Sequence, residues 1–300
     1  MTLSPQSIRL ISLPNSIVID LNISAIENFI FNQLEESLML SKRELMLETK
    51  FILQKALGIS SLGLVMNKTT LISATQFKKI KTLVKKRKGG QPLAYIFGEW
   101  DFYGETFFVN RHTLTPRQDT ELLIDIIIER FHKELPLKIL DLGTGSGIIG
   151  ITLANYYKNS KVFLSDISKD ALKVAKKNAL KFNQKLNFIE SNWFERIEDF
   201  NFDIVISNPP YVSKNDTCLF SPEIQHEPDL ALFSEDYGLK DIKLICTQVE
   251  KFLVTNGLLI VEHGFNQASK VKKIFEKNKL KNITQYKDIN QKYRVTLGSK

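Results

Sequence analysis

The chain reads as an α/β protein: a mostly parallel sheet flanked by helices, preceded by a small helical domain and a β-hairpin linker. Three observations carry this reading. From Pro116 onward, short apolar runs alternate with segments of helical period, which specifies parallel strands joined by crossover helices. Before Gly89-Gly90, apolar residues recur at three- and four-residue intervals, the mark of packed helices. With 300 residues and 43% hydrophobic content, the chain can bury a full core, and its length suggests about two domains.

The elements follow in order. Ile26, Phe29, Ile30 and Leu34, then Leu45, Leu47, Phe51 and Ile52, mark helix faces turned toward a core. The basic runs Lys78-Lys79-Ile80-Lys81 and Lys85-Lys86-Arg87-Lys88 lie on a helix whose apolar stripe is Ile80, Leu83 and Val84, so the charges form its solvated face. A helical domain is therefore expected over residues 1–90, with the first twenty or so as an extension. The segment 91–112 is expected to be a hairpin linker, because residues 93–109 are rich in aromatic and β-branched types around Gly98-Glu99-Trp100-Asp101. The domain 113–300 is expected to hold helices at 119–132, 147–157, 168–182, 239–253 and 267–278. Strands are expected at 138–142, 161–165, 187–190, 202–207 and 258–262, with two last strands, 282–287 and 293–297, pairing antiparallel.

Composition narrows the class. The two cysteines, Cys218 and Cys246, and the histidines at 112, 132, 226 and 263 form no cluster at metal-ligand spacing, so no metal is expected. There is no basic segment followed by an apolar leader and no stretch approaching eighteen apolar residues, which predicts a soluble, cytoplasmic protein with no membrane partner. The net charge of +8, from 41 basic and 33 acidic residues, favours contact with an acidic macromolecule without naming one.

Two motifs carry chemistry. Asp141-Leu142-Gly143-Thr144-Gly145-Ser146-Gly147 ends the first strand and opens a helix, and its glycines allow a tight turn and close approach to a ligand. Gly145, Gly147 and Gly150 also satisfy the dinucleotide fingerprint, with Asp166 placed to reach a ribose. Asp141 separates the two readings, since a carboxylate at the strand end repels a pyrophosphate and attracts a phosphate-free cation such as a sulfonium amino acid. Asp166 can accept from ribose hydroxyls. Trp193 can stack on a base while Asn192 bonds its edge.

The second motif is Asn208-Pro209-Pro210-Tyr211, directly after the apolar run 202–207. The Asn208 carboxamide oxygen and the Pro209 carbonyl can each accept one N–H of a planar NH₂ group, and Tyr211 can cover its face. The two prolines fix φ and offer no competing donor.

In that order, with Gly90-Gln91-Pro92-Leu93-Ala94-Tyr95-Ile96-Phe97-Gly98, Leu114-Thr115-Pro116-Arg117-Gln118-Asp119-Thr120-Glu121 and Glu227-Pro228-Asp229-Leu230-Ala231-Leu232, these motifs resemble the glutamine-N5 methyltransferases of peptide chain release factors, the PrmC/HemK family. The likeness covers roughly residues 45–298. It implies a Rossmann-like class I methyltransferase fold, S-adenosylmethionine as cofactor, and a release-factor glutamine in a Gly-Gly-Gln loop as methyl acceptor. It also implies that the helical domain helps grip that protein partner, with no direct nucleic-acid binding required. By the same likeness, Asp141, Gly143, Thr144, Gly145, Gly147, Asp166, Asn192, Trp193 and Asn208 would hold the cofactor, Asn208, Pro209, Pro210 and Tyr211 the substrate, and Asn208, Pro209 and Tyr211 would carry catalysis.

Two positions depart from the family pattern: Asn192 where Asp is usual and Gln118 where Pro is usual. Thr115-Pro116-Arg117-Gln118 can also be read as a capping box with Pro at the first helical position. An adenine-N6 methyltransferase acting on DNA or RNA shares the Asn-Pro-Pro-Tyr turn and is the alternative, with a nicotinamide-dependent oxidoreductase and a silent cofactor-binding scaffold behind it.

Overall fold

The structure is a computed structural model that describes residues 10–13, 16–198, 200–215 and 222–300, with backbone alone up to residue 20. It divides into two compact units, Met1–Phe97 and Gly98–Lys300. Cys218 lies outside the described residues.

In the first unit, β1 (Leu10–Leu13), β2 (Ser16–Asn22) and β3 (Leu71–Ser73) form an antiparallel sheet beside α1 (Ile23–Glu35), α2 (Lys42–Leu57), α3 (Ser61–Met66), α4 (Ala74–Lys88) and α5 (Leu93–Phe97). Each longer helix begins on a polar cap. Asn22 accepts from the Ala25 amide, and Ser41 with Glu44 and Ser73 with Gln76 form complete capping boxes. Ile26, Ile30, Leu45, Ile52, Ile80 and Val84 are fully buried, and the Phe29 and Phe77 rings pack 5.6 Å apart.

Three expectations fail here. The first stretch is not purely helical, because β2 pairs with the distant β3 through Val18↔Ser73 and Asn22↔Leu71, a non-local pairing that periodicity cannot reveal. Leu47 faces solvent, 60% exposed, since it lies off the face marked by Leu45 and Ile52. Arg87, expected on a solvated face, is buried, and its guanidinium grips Glu48 through two bonds of 2.7 and 2.8 Å.

The second unit opens with the hairpin β4 (Glu99–Phe102) and β5 (Glu105–Phe108), turning at Tyr103-Gly104, both at positive φ. The expected single linker hairpin thus splits: its first residues form α5 of the other unit, because Leu93 and Ala94 bury on one helical face. Then come a 3-10 turn (Gln118–Thr120), α6 (Glu121–Arg130), β6 (Lys138–Leu142), α7 (Ile148–Tyr156), β7 (Lys161–Asp166), α8 (Lys169–Lys181), β8 (Asn187–Glu190) and β9 (Phe202–Ser207). After two single-turn segments, α9 (Asp229–Leu232) and α10 (Glu235–Gly238), the chain completes α11 (Lys240–Val249), β10 (Leu253–Glu262), α12 (Ala268–Lys277), β11 (Lys281–Lys287) and β12 (Tyr293–Ser299).

The seven-stranded sheet runs β11-β12-β10-β9-β6-β7-β8, with β12 antiparallel to both its neighbours. Its central strands β6, β7 and β9 are buried on both faces, as a parallel sheet covered by helices requires, whereas the edge strands β8 and β11 are partly exposed. Ile139, Ile204 and Ile260 point into one apolar layer, whereas Leu140, Val205 and Leu259 point into the other. β10 begins earlier than its apolar run, and its register against β9 shifts between Leu253 and Leu258, where Asn256 takes a positive φ. Among the described residues, no helix is long and apolar enough to cross a membrane.

Candidate active site

The chain leaves β6 toward β7 on one side and returns through β9 on the other, so the loops after these two adjacent strands diverge. Such a switch point opens a crevice at the carboxyl ends of the strands. A cavity of about 190 Å³ lies there. Its walls bring together Gly143, Thr144, Gly145, Asp166, Asn192, Trp193, Asn208 and Pro210, residues drawn from the ends of four strands. Gly147, Pro209 and Tyr211 lie behind this lining, as does Asp141.

The glycine loop is shaped from within. Gly143, Gly145 and Gly147 have φ of 68°, 57° and 85°, a region that side chains disfavour. A Cβ on Gly147 would stand 2.7 Å from Ile151 Cδ1, and one on Gly143 would meet the Trp193 ring. The loop amides are already engaged: Thr144 N donates to Ser165 O, Gly147 N to Thr144 O, Gly145 N to Asp166 Oδ2 and Gly150 N to Asp141 Oδ2. All three glycine amides of the dinucleotide fingerprint are consumed, so the loop has none of them to offer a pyrophosphate.

Asp141 does not face the cavity as expected from its charge. It is fully buried, and its Oδ2 accepts from the Thr144 hydroxyl at 2.6 Å as well as from Gly150, while Oδ1 has no hydrogen-bond partner. Burial pushes its carboxyl up to about 7. Its direct work is to hold the loop from beneath. Asn178, which the sequence did not single out, braces the same loop: its Nδ2 donates to Ser146 O and Phe108 O, and its Oδ1 accepts from Phe108 N, tying loop to hairpin.

Asp166 does reach the cavity. Each carboxylate oxygen accepts one backbone amide, Oδ2 from Gly145 and Oδ1 from Ser168, both at 2.8 Å. Burial nevertheless raises its pKa. Ser168, not Asp166, caps α8. With its oxygens fixed and lone pairs remaining, Asp166 can accept from two vicinal hydroxyls. Trp193 adopts a φ of 48° and lays its ring over Gly143, with Nε1 donating to Asp241 Oδ1 at 3.1 Å. Asn192 is exposed, and its Nδ2 donates to Glu195 Oε1 at 2.6 Å, which leaves the carboxamide oxygen as the end that can turn to a ligand.

On the opposite wall, Asn208 Nδ2 donates to Thr120 Oγ1 at 3.1 Å, which directs the other end of the carboxamide, Oδ1, to the ligand side. The peptide bonds to both prolines are trans. Tyr211 turns its hydroxyl inward to Glu262 Oε1 at 3.0 Å, and burial raises its pKa well above the usual phenol value. Its main-chain carbonyl is held by Gln267 Nε2 at 2.9 Å. Gly238 packs so tightly against this carbonyl that a Cβ would lie 2.0 Å from it, and Asp236 and Tyr237 just before it also have positive φ.

The capping box proposed for residues 115–118 is not formed. Thr115 Oγ1 has no hydrogen-bond partner, and Thr115 N instead donates to the buried Glu227 Oε1, whose Oε2 pairs with Arg117 at 2.8 Å. This clamp ties the segment before α6 to the segment after the Asn-Pro-Pro-Tyr turn. Thr120, Glu227, Glu262 and Gln267 were missed as contributors, since their roles depend on partners 51 to 112 residues away. The runs 114–121 and 227–232, which contain Thr120 and Glu227, are the sequence signal for two of them.

Comparison with known proteins bears on the family and the fold. Residues 33–98 match the PrmC N-terminal domain and residues 118–224 the Methyltransferase small domain. A release factor glutamine methyltransferase of Buchnera aphidicola subsp. Schizaphis graminum is 37% identical over 84% of this chain and 92% of its own length. The chain belongs to the release factor glutamine methyltransferase family. The bifunctional methyltransferase of Rickettsia prowazekii is 38% identical over 76% of this chain, but that stretch is only 48% of the relative, so the chain spans about half the length of such relatives. Among solved structures, a 16S rRNA N2 G1207 methyltransferase of T. thermophilus aligns with a TM-score of 0.51 at 18% identity, covering 67% of this chain and 49% of that one. This likeness confirms the class I methyltransferase fold.

Proposed function

We propose that this chain moves a methyl group from S-adenosylmethionine to the side-chain amide nitrogen (N5) of the glutamine in the Gly-Gly-Gln loop of a peptide chain release factor. Family membership supports the reaction class. The observation that carries the reading is one cavity that joins an ordered carboxylate, Asp166, to a carboxamide, Asn208, whose NH₂ end is held away by Thr120. The consumed loop amides favour a phosphate-free ligand over a dinucleotide.

When bound, S-adenosylmethionine supplies an electrophilic methyl group on a sulfonium sulfur. Asp166 would take its ribose hydroxyls, Trp193 and Asn192 its adenine, and the loop Gly143–Gly147 would lie along its amino-acid portion, with Asp141 beneath. Asn208 Oδ1 and the Pro209 carbonyl would accept the two N–H bonds of the substrate amide. Electron density then rises on a nitrogen whose lone pair is otherwise delocalised into the carbonyl. Tyr211, anchored through its hydroxyl, would fix the amide plane, and Pro210 would hold the turn. Alignment of this kind lowers a barrier by about 7 kcal/mol or more, and the acceptors stabilise charge as it develops on nitrogen. The methylated nitrogen is acidic and loses its proton to solvent without a dedicated base. With a release factor as substrate the chain would act in the cytoplasm, and the transfer itself would call for no nucleic-acid contact.

Labelled S-adenosylmethionine offered with release factor, its Gln→Ala loop variant, DNA and RNA tests the proposal. Label on release factor alone, lost with the Gln→Ala variant, is the expected result. Label on DNA or RNA would replace it with adenine methylation.

A further inference from the structure

Resting on the proposed transfer to a carboxamide, we infer that Glu262 is a positioning residue that sets the direction of the hydrogen bonds behind Asn208. Glu262 ends β10, is buried, and lies outside the cavity lining. Its Oε1 accepts from the Tyr211 hydroxyl at 3.0 Å. The Thr120 hydroxyl faces the same carboxyl group closely enough to favour its charged form, while Oε2 completes no hydrogen bond. The carboxyl group therefore keeps acceptor capacity beyond the Tyr211 bond.

The direction follows from what each group can do. Thr120 Oγ1 accepts from Asn208 Nδ2 at 3.1 Å, so its own proton must be donated elsewhere. An ionised carboxylate accepts only, and Glu262 is the acceptor that Thr120 faces. With Glu262 ionised, every donor points inward: Asn208 to Thr120, Thr120 to Glu262, Tyr211 to Glu262. The Asn208 oxygen is then committed to the ligand. A protonated or amide side chain at 262 could donate to Thr120, reverse the relay and turn the Asn208 NH₂ outward, setting donor against donor at a substrate NH₂.

The groups facing Glu262 come from three other elements: Asp119 and Thr120 in the 3-10 turn, Tyr211 after β9 and Arg294 on β12. Burial dominates and pushes the carboxyl up to about 7, with Asp119 adding to it and Thr120, Tyr211 and Arg294 opposing. Acid thus converts this acceptor into a donor close to neutral pH.

Glu262→Gln tests the inference, because it keeps the shape and removes the obligate acceptor. With labelled S-adenosylmethionine and release factor both saturating, kcat is expected to fall roughly a hundredfold. S-adenosylmethionine affinity, by calorimetry, should stay within about twofold, since the cofactor wall is untouched. The parent kcat should decline as pH falls through about 7, a limb that Glu262→Gln lacks. Thr120→Val should lose a similar factor and Thr120→Ser should retain activity, which tests the relay even if position 262 fails to fold. The double variant Glu262→Gln/Thr120→Val should lose no more than the larger single loss. Parent kcat in Glu262→Gln, additive losses in the double variant, or loss of cofactor binding with kcat would each overturn the inference. A parent chain that labels no release factor overturns the proposed reaction itself, and the inference with it.

Discussion

The two walls of the cavity are each backed by a buried carboxyl group, and the two groups hold different things. Behind the glycine loop, Asp141 binds a main-chain amide and a short hydroxyl, Gly150 N and Thr144 Oγ1. Behind the Asn-Pro-Pro-Tyr turn, Glu262 binds the Tyr211 phenol and faces Thr120, both side chains. Burial pushes both carboxyls up to about 7, and each keeps one oxygen without a hydrogen bond. The difference teaches a division of labour. On the proposed reading, the carboxyl that shapes main chain governs whether a ligand fits, whereas the one that orients side chains governs what happens to it.

The most severe break expected on the turn side is Asn208→Ala, which removes the acceptor proposed to face the substrate amide. Methyl transfer should fall by roughly a hundredfold or more in a labelled assay. Calorimetry should find cofactor affinity near the parent value, and joint loss of both would merge the two walls into one function.

Glycine substitutions sharpen the contrast through stability. Gly238→Ala at φ of +80° drives its Cβ to 2.0 Å from the Tyr211 carbonyl, a main-chain atom that cannot step aside. Gly147→Ala, at φ of +85°, meets first the end of a side chain, Ile151 Cδ1 at 2.7 Å. Urea denaturation should show Gly238→Ala destabilised by about 3 kcal/mol or more, and Gly147→Ala by less. The reverse order would place the more rigid wall at the glycine loop.

Asp166→Ala should act on the other axis. Losing an acceptor for ribose hydroxyls should weaken S-adenosylmethionine about ten- to a hundredfold by calorimetry. kcat at saturation should change little, and an unchanged affinity would remove Asp166 from the cofactor site.

The last comparison is a pH dependence of stability. Asp141 and Glu262 have folded pKa values of about 7, above the ordinary 3.8 and 4.5. A carboxyl raised in this way contributes stability that is full below its unfolded pKa and is lost as pH rises through the folded one. The ligand-free protein should therefore lose unfolding free energy between about pH 4 and pH 7 in denaturant titrations. Asp141→Asn and Glu262→Gln should each flatten that fall.

Legibility in the sequence followed the range of the interaction. Strands β6 and β9 matched their apolar runs, since a strand buried on both faces declares itself in consecutive residues. Asn208 and Asp166 were legible because a short motif at a strand end is local. The pairing of β2 with β3, the inward turn of Arg87 and the brace of Asn178 were not, because each depends on a partner tens of residues distant. Asp141 shows the intermediate case. Its place at the strand end was legible, but the side to which its oxygens turn was set by Gly150 and Thr144 once the loop had closed.

By itself, the sequence determined the strand–helix order, the glycine loop, the Asn-Pro-Pro-Tyr turn and, through their company, the family. These follow from local chemistry: periodicity chooses the element, glycine and proline choose the turn, and neither needs a distant partner. Only the tertiary structure decided that Thr120, Tyr211 and Glu262, spread over three segments, converge behind Asn208. The direction of a hydrogen bond depends on what stands at its far end, and folding alone brings that end into place.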